Sequence, residues 1–115
     1  MRKPDVLRNK KDFSSIYNNG KSIGGKYLVV FYKKNGLLFN RRAFLASKKV
    51  GGSVQRNRAR RLLRESYRHL EDDIKKGYDL IFIARKSILK LKCADVKESM
   101  EAALKKANIF EKTIR

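Results

Sequence analysis

Between Ser53 and Arg68 the chain places Arg56, Asn57, Arg58, Arg60, Arg61, Arg64 and Arg68, a set suited to holding an anion rather than to breaking a bond. A guanidinium is planar, permanently charged and forks two donors onto a phosphate or a base edge, whereas a lysine ammonium acts as a point charge. At about 100° per residue on an α-helix, Asn57, Arg61, Arg64 and Arg68 share one side, with Arg58 and Arg60 at its margins. Leu62, Leu63 and Leu70 centre the opposite, apolar side.

A solvated basic face would use the same pattern, but two features set this one apart. The cations are arginine rather than a mixture with lysine. They also crowd the start of the helix, where they oppose its dipole. Arg56 falls about where a capping box would put Glu. A phosphate bound at this end would resolve the conflict, because free backbone N–H groups and arginines would meet it together. Lys48 and Lys49 lead into the segment and extend the candidate set. Gly51-Gly52 either lets the backbone approach a ligand closely or simply turns the chain.

Side chains that could cleave a phosphodiester are scarce. His69 is the only histidine, so acid–base work of the two-histidine kind lacks its second member. It lies in the long helix and is expected at the surface. Asp72 and Asp73 adjoin but fan out around a helix, while Asp5, Asp12, Asp79 and Asp95 fall in different elements. Neither a two-metal carboxylate cluster nor any other metal site is expected. Cys93 has no partner for zinc or for an internal disulfide. The expectation is that no catalytic residue lies in this chain.

Aromatic residues offer a third chemistry. Phe13 and Tyr17 are four apart on a helical pattern, and Tyr27, Val29 and Phe31 share one side of a strand pattern. Beside a basic surface they would make a stacking platform for unpaired bases, worth about 1–3 kcal/mol per base. Core packing would use the same residues.

The elements that must position these groups follow from periodicity and punctuation. Phe13, Ile16 and Tyr17 give a helix from roughly Asn9 to Asn19, with Asn9 as cap and Gly20 past its end. Tyr27 to Tyr32 reads as a strand, and Lys21 to Lys26 as a short extension or a strand of its own. Asn35-Gly36 marks a turn, and Ala43 to Ala46 centres the next strand.

The long helix runs from about Val54 to Ile74, with Ala59, Leu62, Leu63, Ser66, Leu70 and Ile74 on one side and Gly77 ending it. Tyr78 to Ala84 is a nearly continuous apolar run, fit for an interior strand. A last helix covers about Asp95 to Ala107, with Asp95 and Glu98 as a capping pair. Helices packed mainly on one face of a sheet make an α+β two-layer domain.

The whole chain agrees with the anion reading. Of its 115 residues, 30 are Lys or Arg and 11 Asp or Glu, for a net charge of +19. Such an excess opposes compaction but suits a polyanionic partner. Nucleic acid leads, because neutralising its phosphates releases counterions. An anionic membrane surface would need apolar residues free to insert into lipid, and here they look committed to a core. The charged start, Met1 to Asp5, lacks the apolar stretch of a secretory signal, no run is long enough to span a membrane, and the lone Cys93 fits a reducing compartment, so the cytoplasm is expected. One nucleic-acid-binding domain over 1–115 is expected, with loose termini at about 1–6 and 108–115.

The stretch Ser47-Lys48-Lys49-Val50-Gly51, then Val54, Arg56-Asn57-Arg58 and Arg60-Arg61-Leu62-Leu63-Arg64-Glu65, resembles the signature of the bacterial ribonuclease P protein family. Phe13 and Tyr17 ahead of Gly20, and Tyr78 to Arg85, match the family too, so the resemblance covers roughly residues 7 to 107. Ala43 stands where the family often has Gly, Leu45-Ala46 replaces a smaller-then-branched pair, and Gly52-Ser53 replaces a commoner Asn-Ala.

The resemblance implies a four-stranded mixed sheet with three helices in the order α-β-β-β-α-β-α. It also implies a left-handed crossover between parallel strands flanking the long helix, against the usual right-handed rule. It implies a protein subunit of the ribonucleoprotein endonuclease that removes the 5′ leader of precursor tRNA, with the active site in the RNA. Phe13, Tyr17, Phe31 and Lys48 match the family's leader-binding cleft. Arg56, Asn57, Arg58, Arg60, Arg61 and Arg64 match the positions facing the catalytic RNA or nearby phosphates. The implied cofactor is Mg²⁺, bound mainly by the RNA. The implied partners are ribonuclease P RNA and precursor tRNA, with no membrane and no protein partner required. A ribosomal or RNA-chaperone protein is the alternative.

Overall fold

The first helix begins where the Asn9 side chain accepts from the Lys11 N–H at 2.9 Å. The computed structural model describes residues 6–111. Within them this helix, α1, spans Lys10–Asn19 and stops at Gly20. The lead-in to the first long strand is a strand of its own: β1 is Lys21–Gly24 and β2 is Leu28–Lys34. β3 covers Arg41–Leu45, α2 Ser53–Leu70, β4 Tyr78–Ala84 and α3 Cys93–Lys106.

The sheet order is β1-β2-β4-β3. β2 lies antiparallel to both β1 and β4, and β3 lies parallel to β4 across the α2 connection. β4 is therefore interior, as its apolar run predicts.

Strand alternation sorts the residues into two faces. Leu28, Val30, Leu80, Phe82 and Ala84 join Ala59, Leu63, Tyr67 and Leu70 of α2 and Val96, Met100 and Leu104 of α3 in the main core. The opposite face carries a smaller cluster of Leu7, Ile16, Ala43 and Ile81, with Phe13, Phe31, Leu45 and Ile83 packed at its margin. The expected four-stranded mixed sheet with three helices is present, with α2 and α3 as its main covering layer. α1 lies on the second face and covers only part of it.

Two boundaries differ from the sequence reading. α2 stops at Leu70 and passes into a 3₁₀ turn, Glu71–Asp73. Ile74 is extended and buried, and it bridges to Phe110, so core burial ends the helix before Gly77. Gly77 instead turns the chain into β4 with φ of 94°. α3 starts at Cys93, because Asp95 accepts from the Lys92 N–H at 3.2 Å rather than pairing with Glu98.

Of the termini expected to be loose, 1–5 and 112–115 lie outside the described residues. Val6 bridges to Arg42, and Ile109 is buried. Among the described residues no helix is long and apolar enough to cross a membrane.

Candidate nucleic-acid interface

α2 presents two unlike sides. Ala59, Leu63, Ser66, Tyr67 and Leu70 are buried, while Asn57, Arg58, Arg61, Arg64 and Arg68 face solvent. Leu62, expected in the apolar centre, is only partly buried. Arg60 donates to Asn57 Oδ1, and Arg68 pairs with Glu65 at 3.3 Å. Among the described residues, Arg58, Arg61 and Arg64 have no carboxylate within salt-bridge distance.

The helix start is equally unanswered. Its cap, Gly52, supplies no side-chain acceptor, and the first turn holds no acid. Gln55, not Arg56, occupies the third helical position, so Arg56 lies one residue beyond a capping box. Arg56 donates to Ser53 Oγ at 3.4 Å, while its Nε is shielded and has no hydrogen-bond partner among the described residues. Val54 sits in the same turn, 79% exposed. Gly51 is required by the turn itself: its φ is 147°, and a Cβ there would come within 2.9 Å of Gln55 Cβ. Lys48 and Lys49 are exposed in the turn that follows β3.

The aromatic residues meet on the half-covered face. Phe13 and Tyr17 rings lie 6.4 Å apart, and Tyr17 meets Phe31 edge-on at 5.0 Å. Phe13 and Phe31 are half-buried, and Tyr17 is 41% exposed. Partial burial raises the Tyr17 phenol above its ordinary pKa, so it stays protonated at neutral pH. Tyr27, in contrast, packs at the margin of the main core. A groove of about 320 Å³ runs past Phe13, Ala43, Leu45 and Arg64. It joins the aromatic cleft to the arginine side of α2 over the β3 edge. Lys48 follows Leu45 closely in sequence but does not line that groove.

Residues that position the cleft escaped the sequence reading. Asp79 takes both ends of the Arg41 guanidinium, at 2.8 and 2.7 Å, and also accepts from Asn35 Nδ2 at 3.0 Å. Arg41 reaches Asp12 of α1 at 3.5 Å, and Lys33 donates to Ser15 of α1 at 2.9 Å. These bonds tie α1 to the sheet. The hydrogen bond to Asp79 holds Arg41 above its usual pKa, against the smaller opposing effect of burial. Gly20 lets α1 press against β2, since a Cβ there would lie 2.5 Å from the Ile16 carbonyl and 2.7 Å from that of Tyr32. Arg42, one residue on from Arg41, points to the other face and stacks its guanidinium over Tyr67 at 5.6 Å. The readable sign was Asp79, the one acid in the apolar run of β4, which needs a partner when buried.

Acids and the histidine do not assemble. Asp12 and Asp79 are engaged by Arg41, and His69 is exposed. Among the described residues no three His, Cys, Asp or Glu side chains gather as a metal site would need.

A family model described as Ribonuclease P matches residues 1–108. A Ribonuclease P protein component from Caldanaerobacter subterraneus subsp. tengcongensis is 41% identical over 109 residues, covering 95% of this chain and 94% of its own. One from Clostridium botulinum is 44% identical over 109 residues, covering 94% and 98%. The Staphylococcus aureus RNase P protein superposes with a TM-score of 0.83 at 30% identity, over 93% of this chain and 98% of its own. The Thermotoga maritima RNase P protein gives 0.80 at 32% identity, over 88% and 96%.

Proposed function

The chain belongs to the ribonuclease P protein family and is a subunit of that endoribonuclease, and from this premise we propose how it divides labour with RNA. The arginine side of α2, with Lys48 and Lys49, neutralises phosphates of the ribonuclease P RNA. The cleft of Phe13, Tyr17 and Phe31 holds the single-stranded 5′ leader of precursor tRNA. The RNA carries the Mg²⁺ and performs the hydrolysis that leaves a 5′ phosphate on the mature tRNA. The protein improves substrate affinity and lowers the Mg²⁺ requirement. The family match favours this reading over a ribosomal or RNA-chaperone protein.

One observation carries the proposal. Arg64, without a carboxylate partner, lines the same groove as Phe13. A strand stacked on the aromatic residues would therefore leave the cleft beside cations that have nothing else to bind. Stacking tolerates any base, so leader contacts are largely independent of sequence. At the start of α2, uncapped N–H groups and Arg56 suit a backbone phosphate. Such partners put the protein in the cytoplasm and require neither a membrane nor a second protein.

Reconstitution tests this. Adding the purified chain to a bacterial ribonuclease P RNA at low Mg²⁺ should restore leader removal, and the chain alone should cleave nothing. If RNA turnover at physiological salt is the same with and without the protein, the proposal fails.

A further inference from the structure

We propose that a second site, at the corner of the sheet diagonally opposite the start of α2, binds one unpaired nucleotide. The strand register builds it. On the α3 side of the sheet Lys21 stands opposite Tyr32, and Lys34 opposite Tyr78, so two lysine–tyrosine pairs lie together. Asn19 and Gly20 at the end of α1, and Ala107 and Asn108 after α3, wall a notch of about 310 Å³ around them. The notch stays open because α3 ends at Lys106 and Asn108, with φ of 61°, turns the chain toward buried Ile109. It lies by the β1 edge, whereas α2 follows the far end of β3 at the opposite edge.

The groups present select a nucleotide. Tyr32 and Tyr78 are held against the main core, so their rings are fixed and only partly covered. A fixed, half-open ring is a stacking surface. Lys21 and Lys34 are exposed, and among the described residues neither has an acidic partner. Lys33 also lines the notch, but its ammonium is bonded to Ser15.

Among the described residues no carboxylate lines the site. Two helix C-termini do converge on it, each with partial negative charge. A bare phosphate would meet attraction from the lysines and repulsion from the helix ends. A nucleotide meets both: its base stacks on tyrosine with its N–H donors toward the helix ends, and its phosphate lies outward between Lys21 and Lys34. The ligand class is a nucleoside 5′-phosphate, free or within a single strand.

The test uses the full chain with labelled tyrosines, titrated separately with adenosine 5′-monophosphate, an adenylate pentanucleotide and inorganic phosphate. Tyr32 and Tyr78 ring signals should shift with both nucleotides and stay in place with inorganic phosphate. Tighter binding of the pentanucleotide identifies a strand as the natural ligand, and equal binding a free nucleotide. Lys21→Glu with Lys34→Glu should weaken the monophosphate about tenfold. Phe13→Leu with Tyr17→Leu should leave the Tyr32 and Tyr78 response unchanged, which separates this site from the cleft.

Equal shifts in the lysine variant, no shift in the parent chain, or equal binding of inorganic phosphate would each overturn the inference. Because the substituted lysines are solvent-exposed, an unchanged amide spectrum shows that the fold is kept. Leader removal by the reconstituted particle reports on the α2 and cleft reading separately.

Discussion

Phe13 does two jobs with one ring. It packs at the margin of the smaller cluster with Ile16 and Ala43, and it lines the groove shared with Arg64. Phe13→Ala should therefore cost long-leader precursor tRNA about 1–3 kcal/mol of binding while leaving mature tRNA nearly unaffected. Binding of both substrates to the reconstituted particle checks this. Equal losses on both would assign Phe13 to packing alone. Stacking and packing stay open in the sequence because an aromatic at helical spacing serves either. What decides is how far α1 covers the sheet, and that depends on the bonds from Arg41 to Asp79 and Asp12. Among 30 cations nothing in type or spacing marks Arg41 as a strut or Arg42 as a ring partner. Alternation along β3 sends the two to opposite faces, and only the paired strand shows what each one meets.

At the scale of the element, α2 is the most legible because its 3.6-residue period and its charges agree. Its arginine stripe should appear as a salt effect. Arg60→Ala with Arg61→Ala should weaken assembly with ribonuclease P RNA and reduce the slope of log affinity against log salt by about 0.7–0.9 for each phosphate no longer neutralised. Titrations at several salt concentrations measure it, and an unchanged slope would remove this side of α2 from the RNA-facing surface. Arg60 also bonds to Asn57, so part of its effect arises by freeing that amide. The end of α2 is harder to read because the Val54 to Ile74 pattern continues through a 3₁₀ turn. Ile74 keeps its apolar phase but uses it in a bridge to Phe110, a residue distant in sequence. Strand order is illegible for a related reason. Periodicity tells which side of a strand is buried, not which strand lies beside it. The parallel β3–β4 pairing is therefore expected only through family resemblance.

At the scale of the molecule, a net charge of +19 must act on the free chain as well as on its complexes. The ion pairs among the described residues leave most of the cations uncompensated, so the folded chain repels itself. Raising potassium chloride from about 0.1 M to about 1 M shortens the screening length from about 10 Å to about 3 Å. Repulsion between exposed charges should then fall, and the urea midpoint of the free protein should rise. Over the same range its hold on RNA should collapse: three phosphates neutralised, one each by Arg58, Arg61 and Arg64, already imply a weakening of about 100- to 500-fold. The two responses have opposite signs because one set of charges is uncompensated without RNA and neutralised with it. Urea unfolding and RNA binding, measured in the same buffers, check both. A free chain whose midpoint falls with added salt would mean that its charges are already paired within the fold, and the excess would no longer argue for a polyanionic partner.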